Sequence, residues 1–360
     1  MFNTEKKKLK RTDIHNQDYL FYGILDFVSK VDESKTKYIL KDDFLKWKTS
    51  LIKKATYSDE APNTAYNFTK SVLRASNFDE AKAKEKEAKK SLQKDDTEYR
   101  QKKKCLQLLK LQRKRYKEKL SDENEYSFII SYFSKVFTTV FDAKKNFWQY
   151  KWGEFKLAAS KEEENLAKND DQNRAQGSSI DCIVSSKELG LDFVLLEVSG
   201  SMDKEDYVHF LKDRLKIAKN LKYIFKSILR QKLVVSDATN LKLYGIQVYR
   251  DVIYVYALLM PIMNMFCFVE ILKFKIPTRS ITYIKDVPRY IKCLFRTLNF
   301  ALYGHHALKS YMTQHGDYES DQSSSDKDSC LSPPYISPQK VTNKRKEPNS
   351  SATINKKQKF

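Results

Sequence analysis

Residues 180–200 read IDCIVSSKELGLDFVLLEVSG, and this stretch decides the fold. It divides into two short strands joined by a tight turn, Asp181–Ser185 and Asp192–Ser199. The second is almost wholly apolar until Glu197. A carboxylate near the end of a buried apolar strand is costly unless a cation or a metal partners it. Glu197 is therefore the residue against which the rest of the chain is read.

Downstream, Asp203–Gln231 carries Tyr207, Phe210, Leu211, Leu215, Ala218, Leu221, Phe225 and Leu229 at helical spacing, with lysines such as Lys212 and Lys216 on the remaining positions. Leu241–Val248, Val252–Pro261 and Met265–Pro277 read as strands, and Val287–Tyr303 as a closing helix. Val252–Val269 is long enough to raise the question of a bilayer span. Pro261 interrupts it, however, and its Val, Ile, Tyr and Phe content favours strands. It predicts two buried strands with a turn near Pro261–Asn264.

Upstream, Ser121 is an N-cap candidate followed by acids in the first turn. Phe128, Ile129, Phe133, Val136, Phe137 and Val140 then give that helix a wide apolar face, with Glu125 beside it. Phe147–Gly153 reads as a short aromatic strand or cover segment, and 158–179 as a polar surface loop. The alternation predicts an α/β fold, a central mixed sheet flanked by helices, over residues 121–312.

Residues 19–120 read as a helical extension. Tyr19–Val28, Phe44–Lys54 and Ala65–Arg74 are amphipathic pieces, and 79–120, free of Gly and Pro, predicts one long charged helix. That helix is either a solvated face docked by its last turns or a basic surface on a phosphate backbone through Arg113, Lys114, Arg115 and Lys117. Residues 1–18 are basic and read as disordered.

The chain has 360 residues and a formal net charge of +21. Such a charge attracts polyanions, nucleic acid first. Five scattered cysteines without a CxxC pair suggest neither a zinc site nor a disulfide framework. The start, MFNTEKKKLKR, lacks the apolar core of a signal peptide. No P-loop, GxGxxG or Ser-His-Asp order is visible.

From 313 onward the composition turns polar, with acidic serines, Ser-Pro pairs and lysines, and reads as a disordered tail. Lys344, Arg345 and Lys346, then Lys356, Lys357 and Lys359, form two basic clusters. Their spacing is similar to a bipartite nuclear localisation signal, which implies a nuclear import receptor as partner and the nucleus as location.

Glu125 on a buried helix, Asp181 on the first central strand and Glu197 on the second can converge on one hard cation. Each also has a plainer role: Glu125 suits a helix N-terminus, Asp181 the start of a strand, and Glu197 an ion pair with a helix Lys or Arg. The order of elements and acids over about 121–310 resembles the PD-(D/E)XK nuclease-like superfamily, with a restriction-endonuclease-like core. LLEVSG (195–200) and YGIQ (244–247) are similar in texture to a poorly characterised fungal branch.

The resemblance implies Glu125, Asp181 and Glu197 as Mg²⁺ ligands and catalytic residues. It departs where Ser199 stands in place of the expected Lys, a charge that Lys212 or Lys216 on the following helix can restore. Because Ser199 replaces that Lys, the expectation is a nucleic-acid-associated protein that binds rather than cleaves, with Mg²⁺ a cofactor only if the site is active. The alternatives are an active Mg²⁺-dependent DNA or RNA nuclease, and a protein-interaction scaffold that binds no nucleic acid.

Overall fold

The computed structural model describes residues 17–31, 33–56, 63–95, 98–117, 124–142, 146–166, 168–169, 172–202, 204–231 and 236–313. The remaining positions, including the two basic clusters of the tail and the N-cap candidate Ser121, lie outside the described residues.

One seven-stranded mixed sheet organises these residues. Its strands are β1 (Ile24–Asp26), β2 (Trp148–Lys156), β3 (Ser179–Ser186), β4 (Asp192–Val198), β5 (Lys242–Tyr249), β6 (Val252–Ile262) and β7 (Met265–Lys275). They lie in the order β1-β7-β6-β5-β4-β3-β2. β1 runs parallel to β7 and β4 parallel to β5; the other neighbours are antiparallel. The central strands β4 and β5 are buried almost throughout because helices cover both faces, which is why Phe193–Leu196 is a continuous apolar run.

The helices are α1 (Lys37–Leu40), α2 (Phe44–Thr56), α3 (Asn63–Val72), α4 (Phe78–Ser91), α5 (Tyr99–Lys117), α6 (Glu125–Phe128), α7 (Ser134–Phe141), α8 (Ala158–Leu166), α9 (Tyr207–Gln231) and α10 (Tyr283–Thr313). A π-turn, Ile129–Phe133, joins α6 to α7. α9 lies on one face of β4 and β5, so close that a Cβ added to Gly245 would stand 2.3 Å from Ile217 Cγ2. α10 lies on the other face, where Tyr244 stacks on Phe300 and Gly304 comes against the Tyr244 ring.

Val252–Lys275 forms the expected hairpin. Among the described residues no helix is long and apolar enough to cross a membrane. Cys105, Cys182, Cys267 and Cys293 are all free thiols.

Four local expectations are corrected. Tyr19–Val28 is not a helix: a 3₁₀ turn, Tyr19–Tyr22, leads through Gly23 into β1, so the N-terminal region supplies a sheet strand. The chain leaves that turn at Gly23 with φ +62°, a conformation glycine adopts freely. The single helix expected over 79–120 is two, α4 and α5, packed on each other. The polar segment 158–179 contains α8, whose Glu163 is buried against α9. Finally, Asn124 caps α6, its side chain accepting from the Ser127 N–H.

Candidate functional site: a carboxylate row beneath helix α9

The site lies where β3 begins and β4 and β5 end, beneath the first turns of α9. Glu197 pairs with Gln247 across the parallel β4–β5 step. In the β3–β4 ladder Cys182 pairs with Leu196, and one further step sets Asp181 opposite Glu197. Laterally paired residues share a face of the sheet, so Asp181, Glu197 and Gln247 form a row facing α9. Opposite Asp181, β2 is bulged at Gly153–Glu154, both with positive φ. Bulges of this kind commonly re-aim side chains beside functional sites.

α9 closes the row from above. Lys216 Nζ stands 2.8 Å from Glu197 Oε1, and Glu197 is only 2 % exposed. Three residues earlier, Asp213 is buried, with His209 Nε2 3.1 Å from its Oδ2. The i,i+3 and i,i+4 spacings put all three side chains on one stripe of the helix. Gln247 is fixed on every side: its amide donates to Ser199 Oγ (2.7 Å) and to the Phe210 carbonyl (2.8 Å), and its oxygen accepts from Tyr256 Oη (3.0 Å). Asp181 Oδ2 accepts from the Val198 N–H (2.7 Å), and Glu125 Oε2, at the start of α6, from the Gly200 N–H (2.6 Å).

The electrostatics follow from crowding acids in a poorly hydrated place. Burial, then the neighbouring Asp181 carboxylate, pushes Glu197 well above the ordinary glutamate range, against the pull of Lys216. Burial likewise raises Asp181, where the Val198 N–H and Lys216 oppose it. Burial raises Asp213 against His209, and Glu125 against the Gly200 N–H. For Lys216 burial works to lower the pKa, but Glu197, Asp213 and Asp181 together outweigh it and raise it. Clusters of perturbed groups of this kind mark functional sites more often than chance.

The residues expected from sequence fall into three groups. Glu125, Asp181, Glu197 and Lys216 share this site. Lys212, one turn before Lys216 on α9, is exposed and outside it. The expected phosphate-facing set on α5 is corrected at Arg113 and Arg115. Arg115 is buried, its guanidinium 4.1 Å over the Tyr132 ring and 4.9 Å over Phe128 and in contact with Met202 Sδ. Arg113 is tied to the buried Glu85 at 3.1 Å. Lys114 is exposed, and the Lys117 side chain lies outside the described ones. Arg113 and Arg115 point inward because α5 packs against α3, α4, α7 and α10 rather than presenting one basic face.

Asp213, His209 and Gln247 were missed as site residues. Their signals were present: a DxxK spacing on a helix that follows an acid-ending strand, and an amide inside an apolar strand adjacent to Glu197.

The donor chemistry suits a hard divalent cation, since four carboxylates gather here with few cations between them. The placement does not: among the described residues no three His, Cys, Asp or Glu side chains are set to hold one ion. Glu197 is engaged by Lys216, and Asp181 and Glu125 each take a backbone N–H. No family model, no curated protein and no solved structure matches this chain.

Proposed function

We propose that this row is the phosphodiester site of a PD-(D/E)XK-like nuclease in which the lysine has moved from the strand to the helix. The observation that carries the reading is the Lys216–Glu197 approach of 2.8 Å. It supplies a cation at the acidic strand end where Ser199 cannot. In this reading Lys216 orients the scissile phosphate and offsets the charge that develops on it. Asp181 and Glu197 are the acidic partners, with Glu125 steadying the Ser199–Gly200 turn through its hydrogen bond. Gln247, locked by three partners, keeps Ser199 in place.

The net charge of +21 supports nucleic acid as the substrate class. The basic clusters Lys344–Lys346 and Lys356–Lys359 support import into the nucleus.

A second reading, binding without hydrolysis, is favoured by the closure of Glu197 by its own lysine. Incubation of the full chain with supercoiled plasmid and with single-stranded RNA, with Mg²⁺ or Mn²⁺, separates the two. The nuclease reading expects nicking, reduced about 100-fold or more in Glu197→Gln and in Lys216→Met. Nucleic acid that is bound but never cut, whatever the divalent ion, overturns it and leaves the binding reading.

A further inference from the structure

The row facing α9 does not stop at Gln247. Gln247 pairs with Tyr254 on β6, and Tyr254 with Lys273 on β7. Lys273 Nζ lies 4.8 Å over the Tyr254 ring, which itself leans on Phe210 of α9 at 5.1 Å. Three lateral steps of about 4.8 Å put Lys273 about 14 Å from Glu197. That separation corresponds to about four rises of 3.4 Å along the axis of a duplex.

At Lys273 the row opens into a cavity of about 550 Å³ at the same end of the sheet, between β7 and the start of α10. Its charged lining is Lys273, Lys275, Arg279 and Arg289 against Asp251 and Asp286, an excess of cations. Within that lining Lys275 pairs with Asp251 at a loose 3.9 Å. Arg279 and Arg289 are exposed. Two residues after Arg279, in the turn Ser280–Thr282, Ile281 is 90 % exposed, an apolar surface that a sugar or base can cover and that an acidic polypeptide does not require.

We propose that this groove holds the sugar-phosphate backbone of nucleic acid on one side of the Glu197 row. The choice of nucleic acid rests on the functional reading above; the positive groove itself does not. Arginine suits the task because its planar fork matches phosphate oxygens two at a time. A strand seated on Arg279 and Arg289 and passing over Lys273 and Tyr254 arrives at Lys216.

The test is fluorescence polarisation of a short fluorescein-labelled oligodeoxynucleotide, single-stranded and duplex, against the full chain over a salt series. The paired change Arg279→Glu with Arg289→Glu is expected to weaken binding about tenfold or more at low salt. It should also flatten the log–log salt slope by about 1 for each phosphate no longer neutralised. Lys46→Glu, at an exposed position of α2 that does not line the groove, changes charge without touching the groove and is expected to bind nearly as the parent does.

Equal weakening by Lys46→Glu, or no weakening by the arginine pair, overturns the proposal. So does displacement of the oligonucleotide by polyglutamate at matched charge. Thermal melting of each variant, with Arg279→Lys and Arg289→Lys as conservative controls, guards against misfolding. If the arginine pair lowers binding while the parent never cuts, the groove stands and the nuclease reading falls. If the parent cuts and the pair binds normally, the reverse holds.

Discussion

Lys216 on α9 reaches Glu197 on β4 at 2.8 Å, while the strand position two residues after Glu197 is the buried Ser199, hydrogen-bonded to Gln247. The positive charge at this strand end therefore arrives from above the sheet rather than along the strand.

Lys216→Met removes the cation from a carboxylate that stays almost fully buried. Breaking a buried pair on one side costs about 3–5 kcal/mol. Because Lys216 is 30 % exposed, solvent screening reduces this to about 2–3 kcal/mol. Losing Lys216 also raises the Glu197 pKa further, so the deficit is largest near neutral pH and shrinks on acidification. Urea denaturation at several pH values reads both, and Glu197→Gln combined with Lys216→Met should recover part of the loss.

The raised acids give the stability curve a definite sign. Glu125, Asp181, Glu197 and Asp213 all hold protons to higher pH folded than unfolded. The folded chain binds more protons, so their contribution is fully present below the unfolded carboxylate range near about 4 and is lost as pH rises through the folded values. Lys216, also raised, acts in the same direction at alkaline pH. The difference between parent and Glu197→Gln isolates one of them: the variant's stability should fall less on going from acid to neutral pH.

Gly245 tests how closely α9 must approach. A methyl group there would meet Ile217 Cγ2 at 2.3 Å, so Gly245→Ala should destabilise by about 1–3 kcal/mol. It also lifts the turn that carries Lys216, so any cleavage activity should fall with it. Adding Ile217→Ala should return part of both, as read by thermal melting and plasmid nicking.

Glu163 on α8 offers a control outside the site. It is fully buried, 3.0 Å from Lys226 and in contact with Arg230, both on α9. Lys226→Met should cost about 3 kcal/mol, at the low end for a broken buried pair because Arg230 remains. Glu163→Gln, which leaves two cations facing each other, should cost more. Chemical denaturation reads both costs, and neither change should alter nucleic-acid binding.

Much of the core was legible in the sequence because its signals are local. The apolar run 193–198 with its terminal glutamate, the 3.6 periodicity of 207–229 and the Tyr- and Val-rich hairpin each declare their element. The site was legible as far as Glu125, Asp181, Glu197 and a choice between Lys212 and Lys216. One turn of helix separates those two lysines, and only the rotation of α9 over β4 decides between them. Asp213 and His209 were hidden because a polar stripe on a helix reads as a solvated face until a sheet is known to lie against it. Arg115 misled for the opposite reason: a basic run gives no sign that one of its members is caged by Tyr132 and Phe128. Ile24–Asp26 is too short for periodicity to register, and its strand character comes from β7.

That three-residue strand has a consequence for how the chain assembles. Ile24 is made long before its partner Phe266, which sits near the far end of the described core. Until β7 emerges, β1 has no neighbour, and until β1 docks, β7 presents an open edge able to recruit a strand from another molecule. Such distant pairing is slow. The expression temperature and the integrity of Ile24–Asp26 should therefore govern how much chain escapes aggregation, more than any substitution deep in the sheet.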